Sequence, residues 1–395
     1  SRHAPHMAGT AGHRVVKDHR IDHQAAHFRA EETSFDVCTL NTHFSGQSFQ
    51  QGIEDGQHRI QISSLLGLKS DLYDIRFKVM GEQVFLSSPF PVDAGVAPAV
   101  LMGLRVKGET SAEITGIVRA LIRHAVSLPQ TFEDAMCNCG TGGDQSYSFN
   151  ISTTACFILA AGGIRMAKAG NRSVSSQSGS ADVLEALGIN IAAAPETLAQ
   201  ALQEVGLAFI FAQTMHPAMR FIAPARKTLG IPTIMNLVGP LANPLDLETQ
   251  LMGLYSEDLQ GTAAQVMQQL GRKRAIIITG PNHMDEAALY GTNTYTLLDN
   301  GHISQHQFTY QDLGMPKVTL DDIVGGDAKE NAAILLSVLN NEPSPYLETT
   351  ALNAGLGFYA NGKVASLEEG IALARQLLAD GSALAKLQQL REVQV

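Results

Sequence analysis

An α/β fold is what the sequence predicts: a large domain on a central mixed, mostly parallel sheet, with a small all-helical domain before it. Three observations lead there. From about residue 134, short apolar stretches running into Gly-rich turns alternate with helical runs. Just upstream, two adjacent amphipathic helical patterns lie between residues 97 and 122. The 395 residues are enough for one large core with an appendage, and 45% hydrophobic with 17% charged content excludes a disordered chain.

Taken in order, residues 1–58 read as an atypical histidine-rich leader. Eight of the 13 histidines fall in the first 60 residues. His19, His23 and His27 are spaced four apart, so a shared helical face holding a metal is conceivable. The segment lacks periodicity and caps, however, and a tag remnant or flexible leader is the simpler reading, above all for SRHAPHM. Residues 59–133 are assigned to the helical domain. Its opening part holds the apolar fragments ISSLLGL and VFLSSPF, which fix no topology.

Pattern becomes legible at APAVLMGLRVKGE, a helix ending near Gly108. Thr110 and Glu113 then have capping-box spacing ahead of an apolar face of Ile114, Ile117, Val118, Leu121 and Ile122. Packing or oligomerisation is the expected role of this pair. Residues 134–395 form the α/β domain. AFIFAQ (208–213), TQLMGLY (249–255) and RAIIITG (274–280) read as strands, and ETLAQALQEVG, SEDLQGTAAQVMQQLG and ENAAILLSVLNN as helices. YTLLDNGHISQHQF carries a DNG turn between two strand-like pieces, hence a hairpin. Asp327 with Glu330, and Ser366 with Glu369, have capping-box spacing before later helices.

Bulk properties narrow the function classes. With 28 basic and 38 acidic side chains the formal charge is -10. That opposes a broad nucleic-acid surface, though not a small phosphorylated ligand held in one local nest. No apolar run approaches the ~18 residues of a membrane span. Nothing at the front resembles a secretion signal, and four cysteines are too sparse to staple this fold, so a cytoplasmic location is expected.

The sharpest chemical feature is Cys139-Gly-Thr-Gly-Gly-Asp144, followed by Ser148-Phe-Asn-Ile-Ser-Thr-Thr154 and an apolar helical run. Glycines let backbone N–H groups converge, and a helix N-terminus behind them suits phosphate. The spacing matches neither GxGxxG nor a Walker loop. A second block, Lys168 to Ser180, packs two cations, an amide and several hydroxyls. Lys168 and Arg172 could hold phosphoryl oxygens or be ordinary surface charges. Asp285-Glu286 follows a strand and suits Mg²⁺ if phosphate oxygens share the ion; alone it would read as a helix start. His216 with Arg220 and Arg226 could clamp a carboxylate, His216 itself reading as structural. Cys137 and Cys139 make C-x-C without a second ligand pair, which excludes a structural zinc site; Cys156 reads as core.

As an ordered set, VLMGLRVKGET, GTGGD, FNIST, KAGNRSVSS, SGSADVLEALGI, HPAMR, GPLANP and DE resemble the anthranilate phosphoribosyltransferases over about residues 96–390. The resemblance implies a nucleoside phosphorylase/phosphoribosyltransferase-like fold, a homodimer through the helical domain, and transfer of a 5-phosphoribosyl group from phosphoribosyl pyrophosphate to anthranilate. It implies donor contacts from Gly140, Gly143, Asp144, Ser148, Asn150, Ile151, Ser152 and Thr153. Lys168, Ala169, Gly170, Asn171, Arg172, Ser173, Val174, Ser175, Ser176 and Ser180 would cradle the phosphates. Ser152, Asp285 and Glu286 would serve Mg²⁺, while Gly140, Asn171 and Arg226 would face anthranilate. Positioning would fall to Lys168, Asn171 and Arg226, with no covalent or acid–base residue. The chain departs from the family at Ala169, usually His, at Pro232, often Arg, and at TGPNHM before the DE pair. Its front end also departs, since 99 residues precede VLMGLRVKGET. A pyrimidine nucleoside phosphorylase-like enzyme, or a weak nucleotide-binding homologue, is the alternative.

Overall fold

The computed structural model describes residues 51–54, 57–61, 74–80, 83–87, 96–173 and 177–394. The histidines of the leader at 3–43 and the site positions Val174, Ser175 and Ser176 lie outside the described residues. Strands β1 (Gln51–Glu54), β2 (Gln57–Gln61), β3 (Asp74–Met80) and β4 (Gln83–Ser87) pair antiparallel in that order. Strand β1 and the start of β2 fall in the stretch read as a leader, and the rest of β2 with β3 and β4 at the front of the stretch in which the sequence leads one to expect helices.

Helices α1 (Val96–Lys107) and α2 (Ser111–Arg123) come next, on the amphipathic patterns. Gly108 ends α1 with φ +85°, a left-handed stop that glycine adopts without strain. Thr110 caps α2: its Oγ1 accepts from Glu113 N, and Glu113 Oε2 accepts from Thr110 N. Lys107 Nζ sits 2.7 Å from the same buried carboxylate.

The α/β part begins with β5 (Ala135–Gly140), α3 (Ile151–Ala161), β6 (Arg165–Gly170), α4 (Ser180–Ala186), α5 (Pro195–Glu204) and β7 (Leu207–Phe211). Helices α6 (Ala212–Met215), α7 (Ala223–Leu229) and α8 (Ile234–Leu241) lead to β8 (Leu247–Gly253). Then come α9 (Gln260–Gln269), β9 (Arg274–Thr279) and the hairpin β10 (Thr292–Asp299)–β11 (His302–Thr309). Its two-residue turn, Asn300 (φ +46°) and Gly301 (φ +90°), is the DNG signal realised. Helices α10 (Ala328–Leu339), α11 (Pro345–Asn361), α12 (Leu367–Ala379) and α13 (Ser382–Val393) close the chain.

Among the described residues β5 to β11 form one sheet in the order β11-β10-β9-β8-β5-β6-β7. Strands β5 to β9 are parallel neighbours, and only β10 and β11 run antiparallel, so the sheet is mixed and mostly parallel. Alternation along the strands supplies two cores. Ile276 and Ile278 of β9 belong to the core that includes α3, α11 and α13, whereas Ala275 and Ile277 belong to the core that includes α2, α8 and α9. Thus α1 and α2 share a core with α7, α8, α9 and one sheet face.

The chain starts the sheet at β5, builds outward to β7, and returns to the far side of β5 as β8. Strand order therefore reverses between β5 and β8, which opens a crevice at their carboxyl ends.

Candidate active site

Gly140 ends β5 and Gly253 ends β8, side by side in register at that crevice. A Cβ on Gly140 would lie 2.2 Å from Asp285 Oδ2, and one on Gly253 would lie 1.6 Å from the Asp285 carbonyl oxygen. Both strands must therefore end in glycine for the 285–286 segment to reach the Gly-rich loop. It does reach it: Gly142 N donates to Asp285 Oδ2 at 2.6 Å, and Asp285 N to Asp144 Oδ2 at 3.3 Å. Thr141 N donates to Gly253 O. Past the two left-handed glycines 142 and 143, Gln145 and Tyr147 also take positive φ, so the loop turns back on itself before α3.

Helix α3 brings Ser152 into the same cluster. Its N–H donates to Glu286 Oε1 at 3.2 Å and its hydroxyl accepts from Lys168 Nζ at 3.3 Å. Asn138, buried on β5, holds Ser152 O through its Nδ2. Thr153 is buried behind it. Asn150 Oδ1 accepts from Asn331 Nδ2 of α10, and Asn150 Nδ2 donates to Ser178 O. Ser148 bridges to Val324, with its Oγ 3.2 Å from Ser146 Oγ. The Gly-rich loop, the α3 N-terminus, Lys168 and the DE pair, read separately in the sequence, thus meet at one place.

The electrostatics there are unusual. Lys168 is 2% exposed, yet no carboxylate lies within ion-pair distance of its Nζ among the described residues. Its recorded partners are neutral: Ser152 Oγ and Ala169 O. Burying an ammonium without an anion is costly, so the site is built for an anionic ligand. Burial raises Asp285 well above the usual carboxylate range, with Asp144 and Glu286 adding repulsion. Burial likewise raises Glu286 to about 7, against the pull of Lys168 and the Ser152 hydrogen bonds.

Other expected residues are placed differently. Arg172 is exposed, and its fork is filled by Asp182 at 2.8 Å and Glu185 at 2.9 Å, which raise its pKa, Glu185 most. Ser173 N joins that group by donating to Asp182 Oδ2. Gly170 lies under Ser180, whose Oγ donates to Asn171 O. Ala169 donates its N–H to Cys137 Sγ. Arg226 stands half-buried on α7 with its pKa lowered by burial, and no hydrogen bond ties it to Gly140 or Asn171. His216 is buried and held below its usual pKa by desolvation, as a structural histidine should be.

Cys137 and Cys139 lie 3.6 Å apart beneath the site, both buried. The neighbouring Cys139 lowers Cys137 to about 6, aided by Lys168, while burial pushes the core thiol Cys156 to about 12. Sequence reading missed Asn138, Gly253, Gln213 and Asn331. Asn243 of GPLANP, another silent residue, donates to Ala167 O and so fastens that loop under β6.

Among the described residues no group of three or more His, Cys, Asp or Glu converges closely enough to hold a metal unaided. Two carboxylates and a hydroxyl fit a hard cation that takes its remaining oxygens from phosphate and water.

Comparison with known proteins agrees with this geometry. A family described as "Glycosyl transferase family, a/b domain" matches residues 133–384. An anthranilate phosphoribosyltransferase of Streptococcus thermophilus is 80% identical over 295 residues, covering 75% of this chain and 88% of that protein. The crystal structure of anthranilate phosphoribosyltransferase from Thermus thermophilus superimposes with a TM-score of 0.73 at 38% identity, over 76% of this chain and 90% of that one. The Saccharomyces cerevisiae enzyme in complex with PRPP and Mg gives 0.69 at 26% identity, over 75% and 84%. With likeness of this depth over most of both chains, the chain belongs to the anthranilate phosphoribosyltransferases.

Proposed function

We propose that the protein transfers the 5-phosphoribosyl group of phosphoribosyl pyrophosphate to the amine of anthranilate, releasing N-(5-phosphoribosyl)anthranilate and pyrophosphate, as a step of tryptophan biosynthesis. The observation that carries the reading is Lys168, a buried ammonium without a carboxylate partner beside a Gly-rich loop and a helix N-terminus. The relatives' names favour the transferase over a nucleoside phosphorylase.

In this reading Gly140, Gly143, Asp144, Ser148, Asn150, Ile151, Ser152 and Thr153 receive the donor, with Lys168 and the residues from Ala169 to Ser176 and Ser180 around its phosphates. Lys168 and the loop N–H groups oppose the charge that grows on the departing pyrophosphate, and such preorganised donors act most strongly in the transition state. Asp285, Glu286 and Ser152 would hold Mg²⁺, which adds positive charge at the pyrophosphate when bound. Arg172 contributes through α4 rather than as a free cation, because Asp182 and Glu185 occupy it. Asn171, Gly140 and Arg226 orient anthranilate. Its amine is already neutral at pH 7, so positioning supplies much of the rate and no general base is required.

The helices α1 and α2 are proposed as part of a smaller lobe with α7 and α8, supported by their shared core, and as the homodimer contact implied by the resemblance. No helix among the described residues is long and apolar enough to cross a membrane. A cytoplasmic location agrees with that.

The deciding experiment follows anthranilate fluorescence with and without phosphoribosyl pyrophosphate and Mg²⁺. Consumption that requires the donor is expected. Folded protein with no donor-dependent turnover sinks the assignment.

A further inference from the structure

Asn171 leaves β6 just as Gln213 leaves β7, because Gly170 and Phe211 are register partners at the ends of these parallel strands. The two side chains meet there. Asn171 Oδ1 accepts from Arg172 N at 2.8 Å and from Gln213 Nε2 at 3.1 Å.

The backbone contact fixes both amides. An N–H of the main chain can only donate, so the atom facing it must be the Asn171 oxygen; a turned-over amide would set donor against donor. Gln213 faces the same oxygen and must present its nitrogen. Asn171 Oδ1 is thereby filled twice, while Nδ2 has no partner among the described residues. The main chain at Asn171 is pinned as well, its carbonyl accepting from Ala181 N and Ser180 Oγ. What remains is a side chain that can only donate. Its chain neighbours Ala169 and Gly170 carry no polar side chain.

We propose that Gln213 is a positioning residue for acceptor recognition, locking the Asn171 amide so that its two N–H bonds are offered to a carboxylate. The proposal rests on the reading above, in which Asn171 faces anthranilate. A carboxylate accepts and never donates when ionised, so a donor-only amide matches it, and the wrong amide orientation would set oxygen against oxygen. Gln213 itself is exposed and need not touch the substrate.

The test is steady-state kinetics on the full chain, with melting temperature as the folding control. Gln213→Leu removes one neutral hydrogen bond and should raise the anthranilate KM about fivefold. Gln213→Glu keeps the shape but offers only oxygen, so Asn171 must turn over or be repelled; a rise above about tenfold is expected. The donor KM should stay within about twofold in both, which general loosening of the fold would not allow. In an Asn171→Ala background, Gln213→Leu should add less than about twofold, because the effect runs through Asn171. Unchanged anthranilate KM in both single variants overturns the proposal, as does a donor KM that rises in parallel, or full additivity with Asn171→Ala. If Gln213→Glu fails to fold, Gln213→Leu and the double variant decide. A wild type that never consumes anthranilate is a different failure: it removes the reaction itself, and this acceptor role with it.

Discussion

Gly253 shows how one missing Cβ can place a segment of the candidate site. The atom that alanine would add there falls 1.6 Å from the Asp285 carbonyl oxygen, a backbone atom that cannot swing away. Gly253→Ala should therefore push the 285–286 carboxylates out of the Gly-rich loop. Strain of this kind costs about 1–3 kcal/mol of stability. A misplacement near 1 Å lowers turnover about 100-fold. Thermal melting and kcat/KM on the same preparation check both, and wild-type turnover would refute the role. Gly140, by contrast, was legible from GTGGD, because clustered glycines announce a tight turn whatever surrounds them. Gly253 sits inside a strand pattern, and its reason is a contact 32 residues away in sequence. Asn138 and Gln213 were hidden for the same cause: their partners, Ser152 O on α3 and Asn171 just past β6, lie 14 and 42 residues away in sequence.

Among whole elements, those with local signals were readable before any contact was known. Thr110 and Asp327 form their capping boxes, and the DNG turn makes its hairpin. Ser366 caps α12 through Glu369 N, but the Glu369 side chain bonds Ala365 N instead of completing the box. Strands β5 (AMCNCG) and β6 (RMAKAG) escaped, since they lack β-branched and aromatic residues and carry an asparagine and a lysine. Burial between two helical layers makes them strands, a tertiary cause. Helix α10 joins local and distant effects. Asp327 accepts from Lys329 N and Glu330 N, which sets the first turn, and Asn331 on that turn donates to Asn150 Oδ1 and Gly326 O. The cap therefore supports the loop that would receive the donor. Asn331→Ala should destabilise the protein by about 1–3 kcal/mol, since it strands buried partners. It should also raise the donor KM more than the anthranilate KM. Equal shifts of both constants would show that α10 only braces the fold.

At the scale of the molecule, a charge of -10 proved a poor guide to ligand choice, because one buried ammonium under a nest outweighs distant surface charge locally. The order of the sheet explains where that nest had to be: the reversal between β5 and β8 leaves a crevice that GTGGD and the DE pair enter from opposite sides. The motifs were visible in the sequence, but their convergence follows from strand order, which no single motif encodes. Convergence also concentrates negative charge, and that links stability to pH. Without ligand, Glu286 titrates near 7 against an ordinary value of 4.5, and Asp285 is raised as well. A carboxyl whose folded pKa is raised stabilises fully below its unfolded pKa and loses that contribution as pH climbs through the folded one. The unliganded protein should therefore lose stability from this pair between about pH 4.5 and 7. A divalent cation must displace those protons and then relieves the repulsion. Mg²⁺ should accordingly raise the melting temperature little near about pH 5 and progressively more up to about pH 8, with phosphoribosyl pyrophosphate present to complete the coordination. Comparing melts with and without Mg²⁺ at each pH cancels titrations elsewhere, including that of His216. Asp285→Asn with Glu286→Gln should flatten the pH dependence of the Mg²⁺ effect and cripple Mg²⁺-supported turnover. A Mg²⁺ shift that is the same at every pH, or that survives both substitutions, would place the cation away from these carboxylates.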